Sequence, residues 1–339
     1  VEVAGAGSGY AARSSVAWGD PDNDGDLDVL VSGQNGAGRQ VHIYTNNGND
    51  GFTGPLDVTG GVGGFQDGDV AFGDLNADGW LDVVAMGFDN ANAQLRAYRN
   101  NGNNTFTAFN IPGAANLGVR NGALAVGDSD ADGDLDIAVV GLRPATGNVE
   151  IWVYRNNGGF GFTQFNVESA VNLGLQNGDL AWADYNNTTG IDLFITGVDN
   201  AAVRRMRVYQ NNITTGTAPG APAVLSSTFS FSLTGSSTAT FKWAPAADLG
   251  ANPTPPGLLD YDIEISTLAA FTPDTVAPHS RATPRRGNYD RPPLIFDGTT
   301  RHGVLLKSTA PWAPALAHPG LRTDTTYYFR VRTVDAGLL

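Results

Sequence analysis

Three loops of this chain place oxygen-bearing side chains at alternate positions around a glycine. They span residues 20–28, 74–82 and 128–136, and the first reads Asp-Pro-Asp-Asn-Asp-Gly-Asp-Leu-Asp. Carboxylates held this close repel one another unless a cation lies between them. Oxygen ligands from positions one, three, five and nine, with a carbonyl at position seven, suit Ca²⁺. The spacing therefore predicts three calcium sites.

A fourth loop, residues 184–192, keeps part of this pattern. It retains Asp184, Asn186 and Asp192, whereas Thr188 replaces the aspartate of position five and Thr189 replaces the glycine. Calcium affinity depends on the number and charge of the ligands. We therefore expect this loop to bind weakly or not at all.

The other chemistry-bearing residues form no recognisable catalytic pattern. The chain has no cysteine, and its four histidines, His42, His279, His302 and His318, are isolated in the sequence. No nucleophile elbow, phosphate loop or dinucleotide fingerprint occurs in a strand-to-helix context. The sequence therefore predicts a protein that is not an enzyme.

Composition restricts the partners and the location. A net charge of −14 argues against nucleic acid and anionic membranes as partners. The sequence contains no run of eighteen apolar residues, so we expect no membrane insertion. The lack of cysteine excludes disulfides. Because Ca²⁺ is abundant outside cells and can replace a disulfide as a staple, we expect an extracellular or cell-surface location.

The loops lie in a repeat of strands. Their first residues, 20, 74, 128 and 184, are 54, 54 and 56 positions apart. In each repeat a strand such as Ser15-Val-Ala-Trp-Gly leads into the loop, and an apolar strand such as Leu27-Asp-Val-Leu-Val follows it. A third strand ends in Asn-Asn-Gly or Asn-Asn-Ile, and Asn-Gly predicts a hairpin into a fourth strand. Four antiparallel strands per repeat predict propeller blades and an all-β fold.

This pattern closely resembles the FG-GAP/VCBS repeats found in the propeller heads of integrin α subunits and in many secreted bacterial proteins. The resemblance covers roughly residues 1–215 and implies that the four repeats are propeller blades, of which the family usually has seven, with calcium in the three intact loops. It implies the following ligands, with Asp26, Trp80 and Asp134 acting through their carbonyl oxygens. They are Asp20, Asp22, Asp24, Asp26 and Asp28; Asp74, Asn76, Asp78, Trp80 and Asp82; Asp128, Asp130, Asp132, Asp134 and Asp136; and, in the damaged loop, Asp184, Asn186 and Asp192.

A second domain is expected over residues 216–339, after the Pro/Gly/Thr-rich linker at residues 214–222. Its strands around Trp243 and over residues 259–266, with Tyr327 at a tyrosine-corner position, resemble a fibronectin type III sandwich of the immunoglobulin-like class. A Pro- and Arg-rich stretch at residues 268–302 reads as an insertion. Its arginines, Arg281, Arg285, Arg286 and Arg291, fit either a solvated loop or a site for an acidic partner.

Both ends of the repeat array are incomplete in the sequence. Residues 1–20 align without gaps on residues 55–74, so residues 1–3 match the outer strand of a preceding blade. The fourth repeat passes directly into the linker and lacks its own outer strand. Three interpretations remain open: residues 1–3 close a four-bladed ring, further blades belong to the protein, or the edges pair between subunits.

These observations predict a non-enzymatic, calcium-binding structural or adhesion protein. Protein partners or self-association, including a surface filament or sheath built by strand pairing, are expected. The alternative is a carbohydrate-binding or accessory module of a secreted polysaccharide-active protein, with a glycan partner and aromatic contacts from Trp18, Trp80, Trp152 and Trp182. Four triplets that start at Asn103, Asn186, Asn187 and Asn212 have the pattern of glycosylation acceptors.

Overall fold

The computed structural model of the chain is built from strands. It describes residues 10, 14–24, 26–48, 51–76, 78–111, 118–130, 132, 134–167, 173–183, 185–186 and 190–212, followed by the backbone of seven strands between residues 224 and 334. All the regular elements within these ranges are β-strands, which confirms the all-β prediction. None of the described residues forms a helix long and apolar enough to cross a membrane.

Each of the first three repeats folds into a four-stranded antiparallel sheet whose strands follow chain order. Sheet 1 contains β1 (Ser15–Gly19), β2 (Asp28–Asn35), β3 (Gly38–Asn46) and β4 (Phe52–Asp57); sheet 2 contains β5 (Gln66–Gly73), β6 (Asp82–Phe88), β7 (Ala93–Asn100) and β8 (Phe106–Asn110); sheet 3 contains β9 (Arg120–Gly127), β10 (Asp136–Arg143), β11 (Asn148–Asn156) and β12 (Phe162–Phe165). The predicted unit of four strands is therefore present in these repeats.

The fourth repeat forms a smaller sheet. Sheet 4 contains β13 (Leu180–Ala183), β14 (Asp192–Val198) and β15 (Arg204–Tyr209). Within the described part of the chain no strand pairs with the outer side of β15. Met206 and Val208 on this strand are 73% and 48% exposed. Residues 1–3, which the sequence offers as a closing strand, lie outside the described residues.

Consecutive sheets pack face to face. In β6 every residue from Asp82 to Gly87 is buried, because sheets 1 and 3 cover the two faces of this strand. The contact between sheets 1 and 2 includes Leu30, Ile43, Val83 and Tyr98. Equivalent apolar clusters join sheet 2 to sheet 3 and sheet 3 to sheet 4. Each large side chain buried in this way contributes about 1.5–3 kcal/mol to stability.

Three glycines permit the close approach of the sheets. Gly64, Gly118 and Gly174 begin the segments that lead into sheets 2, 3 and 4. A Cβ atom at any of them would lie within 3.0 Å of the backbone of the preceding sheet's third strand. The Gly64 N–H donates to the carbonyl oxygen of Arg39 on β3 at 2.8 Å. A larger residue at these positions would push neighbouring sheets apart.

The first strands of the sheets lie side by side. The Asp69 carboxylate on β5 accepts hydrogen bonds from the Ser15 hydroxyl on β1 and from the Leu124 N–H on β9, the latter at 2.9 Å. Farther along, the Asn177 N–H donates to the Asn121 carbonyl at 2.6 Å. One edge of each sheet therefore meets the corresponding edge of the next, and the loops after these strands lie at a common end of the array.

The C-terminal part of the chain contributes two further antiparallel sheets. Their strands are β16 (Val224–Phe231), β17 (Ser237–Trp243), β18 (Asp260–Ser266), β19 (Thr275–Ala282), β20 (Ile295–Phe296), β21 (Arg301–Gly303) and β22 (Tyr328–Val334). Their orders are β16-β17-β21-β20 and β19-β18-β22. Tyr327, Arg285, Arg286 and Arg291 lie outside the described residues.

Strands β19 and β20 and the start of β21 lie within residues 268–302, the stretch that the sequence predicts as an insertion. Strand β19, which contains Arg281, pairs with β18, and β21 pairs with β17. Pro278 lies within β19, although proline lacks the N–H that a central strand needs. It is accommodated because β19 is an edge strand with an irregular register opposite residues 263–265.

Candidate metal loops

The three predicted loops connect the first and second strands of sheets 1, 2 and 3. The residues at position one and position nine of each loop are buried, and the position-nine aspartates begin the second strands. Exposure is 3% or less for the position-one residues Asp20, Asp74 and Asp128 and 0% for the position-nine residues Asp28, Asp82 and Asp136. A buried carboxylate is costly unless hydrogen bonds or a cation compensate its charge.

Backbone hydrogen bonds give the loops a common shape. In each loop the N–H of position five donates to the position-one carboxylate, and the N–H of position seven donates to the position-five carboxylate. In the first loop these bonds join Asp24 to Asp20 at 3.1 Å and Asp26 to Asp24 at 2.9 Å. The second and third loops repeat them within 0.2 Å. The recurrence of alternate acidic residues in the sequence thus corresponds to a recurring backbone turn.

In two loops three carboxylates converge. The oxygens of Asp20, Asp22 and Asp24 lie within 4.8 Å of one another. In the third loop, carboxylate oxygens of positions one, three and nine also lie within 4.8 Å of one another; these are Asp128, Asp130 and Asp136. Both clusters can therefore hold a metal ion.

The second loop has a mixed set of donors. Its position three is Asn76, whose amide donates to the Asp78 carboxylate at 2.8 Å. Asp78 also forms an ion pair with Arg99, whose Nη2 lies 3.5 Å from Asp78 Oδ2. Asp74 and Asp82 flank these residues in the loop, so oxygen donors occupy the same four positions as in the other loops.

The position-nine aspartate joins the start of its loop to the end of the third strand of the same sheet. Asp82 accepts hydrogen bonds from the N–H of Leu75 at 2.9 Å and from that of Asn100 at 2.8 Å. Asp136 accepts the corresponding bonds from Ser129 and Asn156, both at 2.8 Å.

The first loop lacks one of these two bonds. Asp28 Oδ1 accepts from the N–H of Asn46 at 2.7 Å. Its position-two residue is Pro21, which has no N–H, and Asp28 Oδ2 is buried without a hydrogen-bond partner. One oxygen of this fully buried carboxylate is thus left uncompensated by the protein.

Without a bound cation, burial disfavours the ionised form of the position-nine carboxylates. It raises the pKa of Asp28, of Asp82 and of Asp136 to about 8, against the hydrogen bonds that favour the charged form. Burial and the neighbouring carboxylate also raise the pKa of Asp22 and of Asp130. A positive ion between them would favour the ionised form instead.

The donor set fits a hard divalent cation. Besides Asp28 Oδ2, Asp22 Oδ1 and Asp130 Oδ1 are buried without a hydrogen-bond partner. All the donors are oxygens, and acidic side chains predominate among them, as Ca²⁺ prefers. A cavity of about 10 Å³ between sheets 1 and 2 is lined by Asp22 and Asp28, and by Pro21, Asn100 and Phe106 among others.

The position-seven residues lie beside the next hairpin turn. A Cβ atom at Gly48 would lie 2.6 Å from Asp26 Oδ2, and one at Gly102 would lie 2.8 Å from the Trp80 ring. Both glycines have positive φ, at 68° and 71°. The Asn-Asn-Gly turns predicted as hairpins therefore also leave room for the metal loops.

The fourth loop is described in part. Asp184, Thr188 and Thr189 lie outside the described residues. Asp192 is buried, and its carboxylate accepts hydrogen bonds from the N–H of Asn211 at 2.7 Å and that of Tyr185 at 3.4 Å. The fourth loop therefore retains the position-nine bonding of the other loops.

A set of asparagines that connect neighbouring sheets does not appear among the site residues predicted from the sequence. These are the first asparagines of the Asn-Asn turns, and three of them reach the loop of the preceding sheet: Asn100, Asn156 and Asn211. In the sequence they were assigned only to turns. Their recurrence after the tyrosine of each third strand was the available signal.

The comparisons with known proteins identify the repeat. The family model described as an FG-GAP-like repeat matches the chain twice, at residues 20–85 and 74–139. Each match begins at the first aspartate of a metal loop and extends through the following loop. The chain therefore contains FG-GAP-like repeats, as its sequence pattern predicted.

The other comparisons are less informative. No curated protein matches the chain. Among solved structures, it is similar to one described as "The GH130 family of mannoside phosphorylases contains glycoside hydrolases that target beta-1,2 mannosidic linkages in Candida mannan". This match has a TM-score of 0.35 and 15% identity, and it covers 57% of this chain and 67% of that one. A similarity of this extent indicates neither a common fold nor a common activity.

Proposed function

We propose that the chain is a non-enzymatic, extracellular protein that uses Ca²⁺ to hold its FG-GAP-like repeats in a rigid array for adhesion or for a surface structure. The observation that carries this proposal is the set of buried carboxylate oxygens without a partner, Asp22 Oδ1, Asp28 Oδ2 and Asp130 Oδ1, inside loops that begin the matched repeats. A fold that retains such oxygens needs a cation to compensate them.

Each loop would hold the ion with its own residues. Asp20, Asp22, Asp24 and Asp28 would do so in the first loop, with equivalent side chains in the second and third, and position seven would supply a carbonyl. When bound, the ion supplies positive charge and fixed oxygen coordination. The protein contributes the turn, which the position-one and position-nine carboxylates already stabilise by accepting backbone N–H groups.

We extend the proposal to the architecture. The face-to-face sheets with adjoining first strands support propeller blades over residues 1–215, as in integrin-like heads. The order β16-β17-β21-β20 corresponds to the A-B-E-D sheet of an immunoglobulin-type sandwich. It supports a fibronectin-like module in residues 216–339. FG-GAP-like repeats are typical of extracellular proteins, which supports the proposed location.

The open edge of sheet 4 supports self-association. Strand β15 leaves its outer backbone groups unpaired among the described strands and exposes Met206 and Val208. Unpaired strand edges recruit other strands. We therefore keep a filament or sheath assembled by strand pairing as the proposed form of the surface structure.

A carbohydrate-binding role is the second candidate, and one observation favours it. Trp18 is 45% exposed and lies beside Phe52, with ring centroids 6.4 Å apart. Aromatic faces of this kind stack on sugars. Trp152 and Trp182 offer less, since Trp182 packs against Gly127 and Trp152 donates its indole N–H to Glu150.

Calorimetric titration of the calcium-depleted protein tests the proposal. We expect three sites with dissociation constants of about 10⁻⁴–10⁻³ M or tighter, as in extracellular modules. At tenfold excess over these constants, three sites add roughly 4 kcal/mol, which raises the melting temperature by about 10 °C. Asp132→Ala should remove one site, whereas Asp199→Ala, outside the loops, should leave the calcium-dependent rise intact.

Two results separate the outcomes. No heat of binding together with an unchanged melting temperature would contradict calcium binding. A glycan array and sedimentation of the calcium-loaded protein distinguish the roles: self-association without sugar binding supports a structural protein, whereas calcium-dependent sugar binding by a monomer supports the carbohydrate module.

A further inference from the structure

Three asparagine side chains cross from one sheet to the metal loop of the sheet before it. Asn100 Nδ2 donates to the Pro21 carbonyl at 2.7 Å, Asn156 Nδ2 to that of Leu75 at 2.7 Å, and Asn211 Nδ2 to that of Ser129 at 2.6 Å. Each accepting residue is position two of a loop. The same contact thus occurs at all three junctions between sheets.

Each asparagine is also fixed within its own sheet. Asn156 Nδ2 donates to the Leu135 carbonyl at 3.2 Å, and its Oδ1 accepts from the Gly158 N–H at 3.1 Å. Its backbone N–H donates to Asp136 Oδ1 at 2.8 Å. Asn156 is 1% exposed, so water does not compete for these bonds.

These bonds join into one continuous path through the loops. From the Asn156 amide the path runs to the carbonyl oxygen of Leu75, and the N–H of the same residue donates to Asp82 at 2.9 Å. Asp82 accepts the N–H of Asn100, and the Asn100 amide reaches the Pro21 carbonyl. In the other direction the path runs through Asp136, Ser129, Asn211 and Asp192.

The path passes through two residues in each of the second and third loops that lie next to predicted metal ligands or are ligands themselves. The position-two residue lies between the ligands of positions one and three, and the position-nine carboxylate is the last ligand of the loop. Fixing the peptide of one loop therefore fixes the asparagine of the next sheet, and that asparagine holds the next position-nine carboxylate. Coupling between sites needs a contiguous set of groups of this kind, each with a small number of arrangements.

The path stops at the first loop. Pro21 accepts the Asn100 amide but has no N–H to offer Asp28, so the position-nine carboxylate of this loop is not connected to it. Among the described residues, the equivalent Asn46 amide donates only to the Leu27 carbonyl of its own sheet, at 3.2 Å. Among the three intact loops, the second and third are the pair whose connection reaches both position-nine carboxylates.

We propose that Asn100, Asn156 and Asn211 are positioning residues that couple neighbouring metal loops, so that occupancy of one loop raises the calcium affinity of the next. This inference rests on the calcium binding proposed above. It adds that the loops fill cooperatively, with Asn156 connecting the second and third loops. The coupling is reciprocal, because each loop must change the other's affinity by the same factor.

A double-mutant cycle on the second loop tests the coupling. Calcium is titrated into the full chain while the indole N–H signal of Trp80, assigned by its loss in Trp80→Phe, reports the second loop by NMR. The four proteins are the wild type, Asp132→Ala, Asn156→Ala and the double variant. Asn157→Ala is the matched control, because Asn157 lies in the same turn and its amide bonds only within its own hairpin.

The expected result is a loss of coupling in the asparagine variant. Disabling the third loop with Asp132→Ala should weaken calcium binding to the second loop about fivefold, as the loss of one such hydrogen bond would. In the Asn156→Ala background the same change should have no further effect. Asn157→Ala should leave both the affinity and the coupling as in the wild type.

Several results would overturn the inference without touching calcium binding itself. Normal calcium binding by the wild type, with a second-loop affinity that Asp132→Ala does not change, would do so. An equal effect of Asp132→Ala with and without Asn156 would also exclude the proposed path. Should Asn156→Ala fail to fold, Asn100→Ala with Asp24→Ala, which disables the first loop, tests the equivalent step on the same Trp80 signal, and an effect of Asp24→Ala that does not depend on Asn100 refutes the coupling. An absence of all calcium binding would instead refute the proposed function.

Discussion

The second residue of each loop decides how the protein compensates its most buried carboxylate. Leu75 and Ser129 give an N–H to the position-nine aspartate, whereas Pro21 cannot. Under the proposed function, the uncompensated oxygen of Asp28 would make the first loop the one that depends most on a cation. The difference between the first loop and the other two thus comes from one residue, Pro21, whose ring occupies the backbone nitrogen and leaves no N–H.

Pro21→Ala should stabilise the calcium-depleted protein by about 1 kcal/mol. The new N–H would satisfy Asp28 Oδ2, and that gain exceeds the increase in unfolded-state entropy that accompanies the loss of a proline. Chemical denaturation in chelator measures the effect. The gain should disappear in the Asp28→Asn background; an equal gain there, or a loss of stability, would contradict the account.

The position-nine carboxylates also predict a pH dependence. Because burial raises the pKa of Asp28, Asp82 and Asp136 to about 8, the native state binds more protons than the unfolded state between about pH 4 and pH 8. The stability of the calcium-depleted protein should therefore fall as the pH rises through this range.

Melting temperatures at pH 5 and pH 8 measure this dependence, with and without calcium. In chelator the protein should melt at a lower temperature at pH 8. In calcium the order should reverse, because ion binding requires the ionised carboxylates. Replacing all three aspartates with asparagine should flatten the profile in chelator. A depleted protein that is more stable at pH 8 would contradict the assigned burial effect.

At the scale of the strands, packing of one sheet on the next depends on close backbone approach. Gly64, Gly118 and Gly174 each lie against the third strand of the preceding sheet, with no room for a Cβ atom. The aromatic residues of the first strands use glycines in the same way, since Phe72 packs on Gly19 and Trp182 packs on Gly127.

Gly118→Ala should destabilise the array by about 2 kcal/mol or more, because the added methyl group meets the backbone of Gln94, which cannot move aside. Denaturant unfolding of the full chain gives the change. Gly161→Ala is the control, because its nearest contact, the Gly158 carbonyl in an exposed turn, is 3.2 Å away. Equal effects of the two substitutions would show that close approach is not the cause.

Local patterns predicted these elements well because they act over short distances. Alternate acidic residues around a glycine and the Asn-Gly turns indicated the loops and hairpins of sheets 1 to 3. The bond from Asn156 to Leu75 joins residues 81 positions apart, and no local pattern encodes such a partner. Proline is a local signal against a strand, yet Pro278 lies in β19, where pairing at the edge of a sheet tolerates it.

At the scale of the whole molecule, the array has two different ends. At one end, Val16 and Trp18 of sheet 1 are 64% and 45% exposed. At the same end, the Tyr10 hydroxyl and His42 Nδ1 form a hydrogen bond of 2.7 Å. At the other end, strand β15 exposes Met206 and Val208, and none of the described strands pairs with its outer edge. The proposed self-association belongs to this second end.

Charged residues on β15 should block association. Met206→Lys with Val208→Lys adds positive charge to an edge that already carries Arg204, Arg205 and Arg207, and like charges discourage strand pairing. Sedimentation velocity in calcium should show assemblies for the wild type and a monomer for the variant. Val62→Lys, at another exposed apolar residue, is the control. A wild type that stays monomeric at all concentrations would contradict the filament.

Calcium anomalous scattering from crystals grown with calcium tests the central claim most directly. The account predicts peaks in the three loops, each surrounded by the oxygens of positions one, three, five, seven and nine, and a weaker peak or none in the fourth loop. Loops that keep the same shape with no anomalous density, while calcium is present in the crystal, would contradict it.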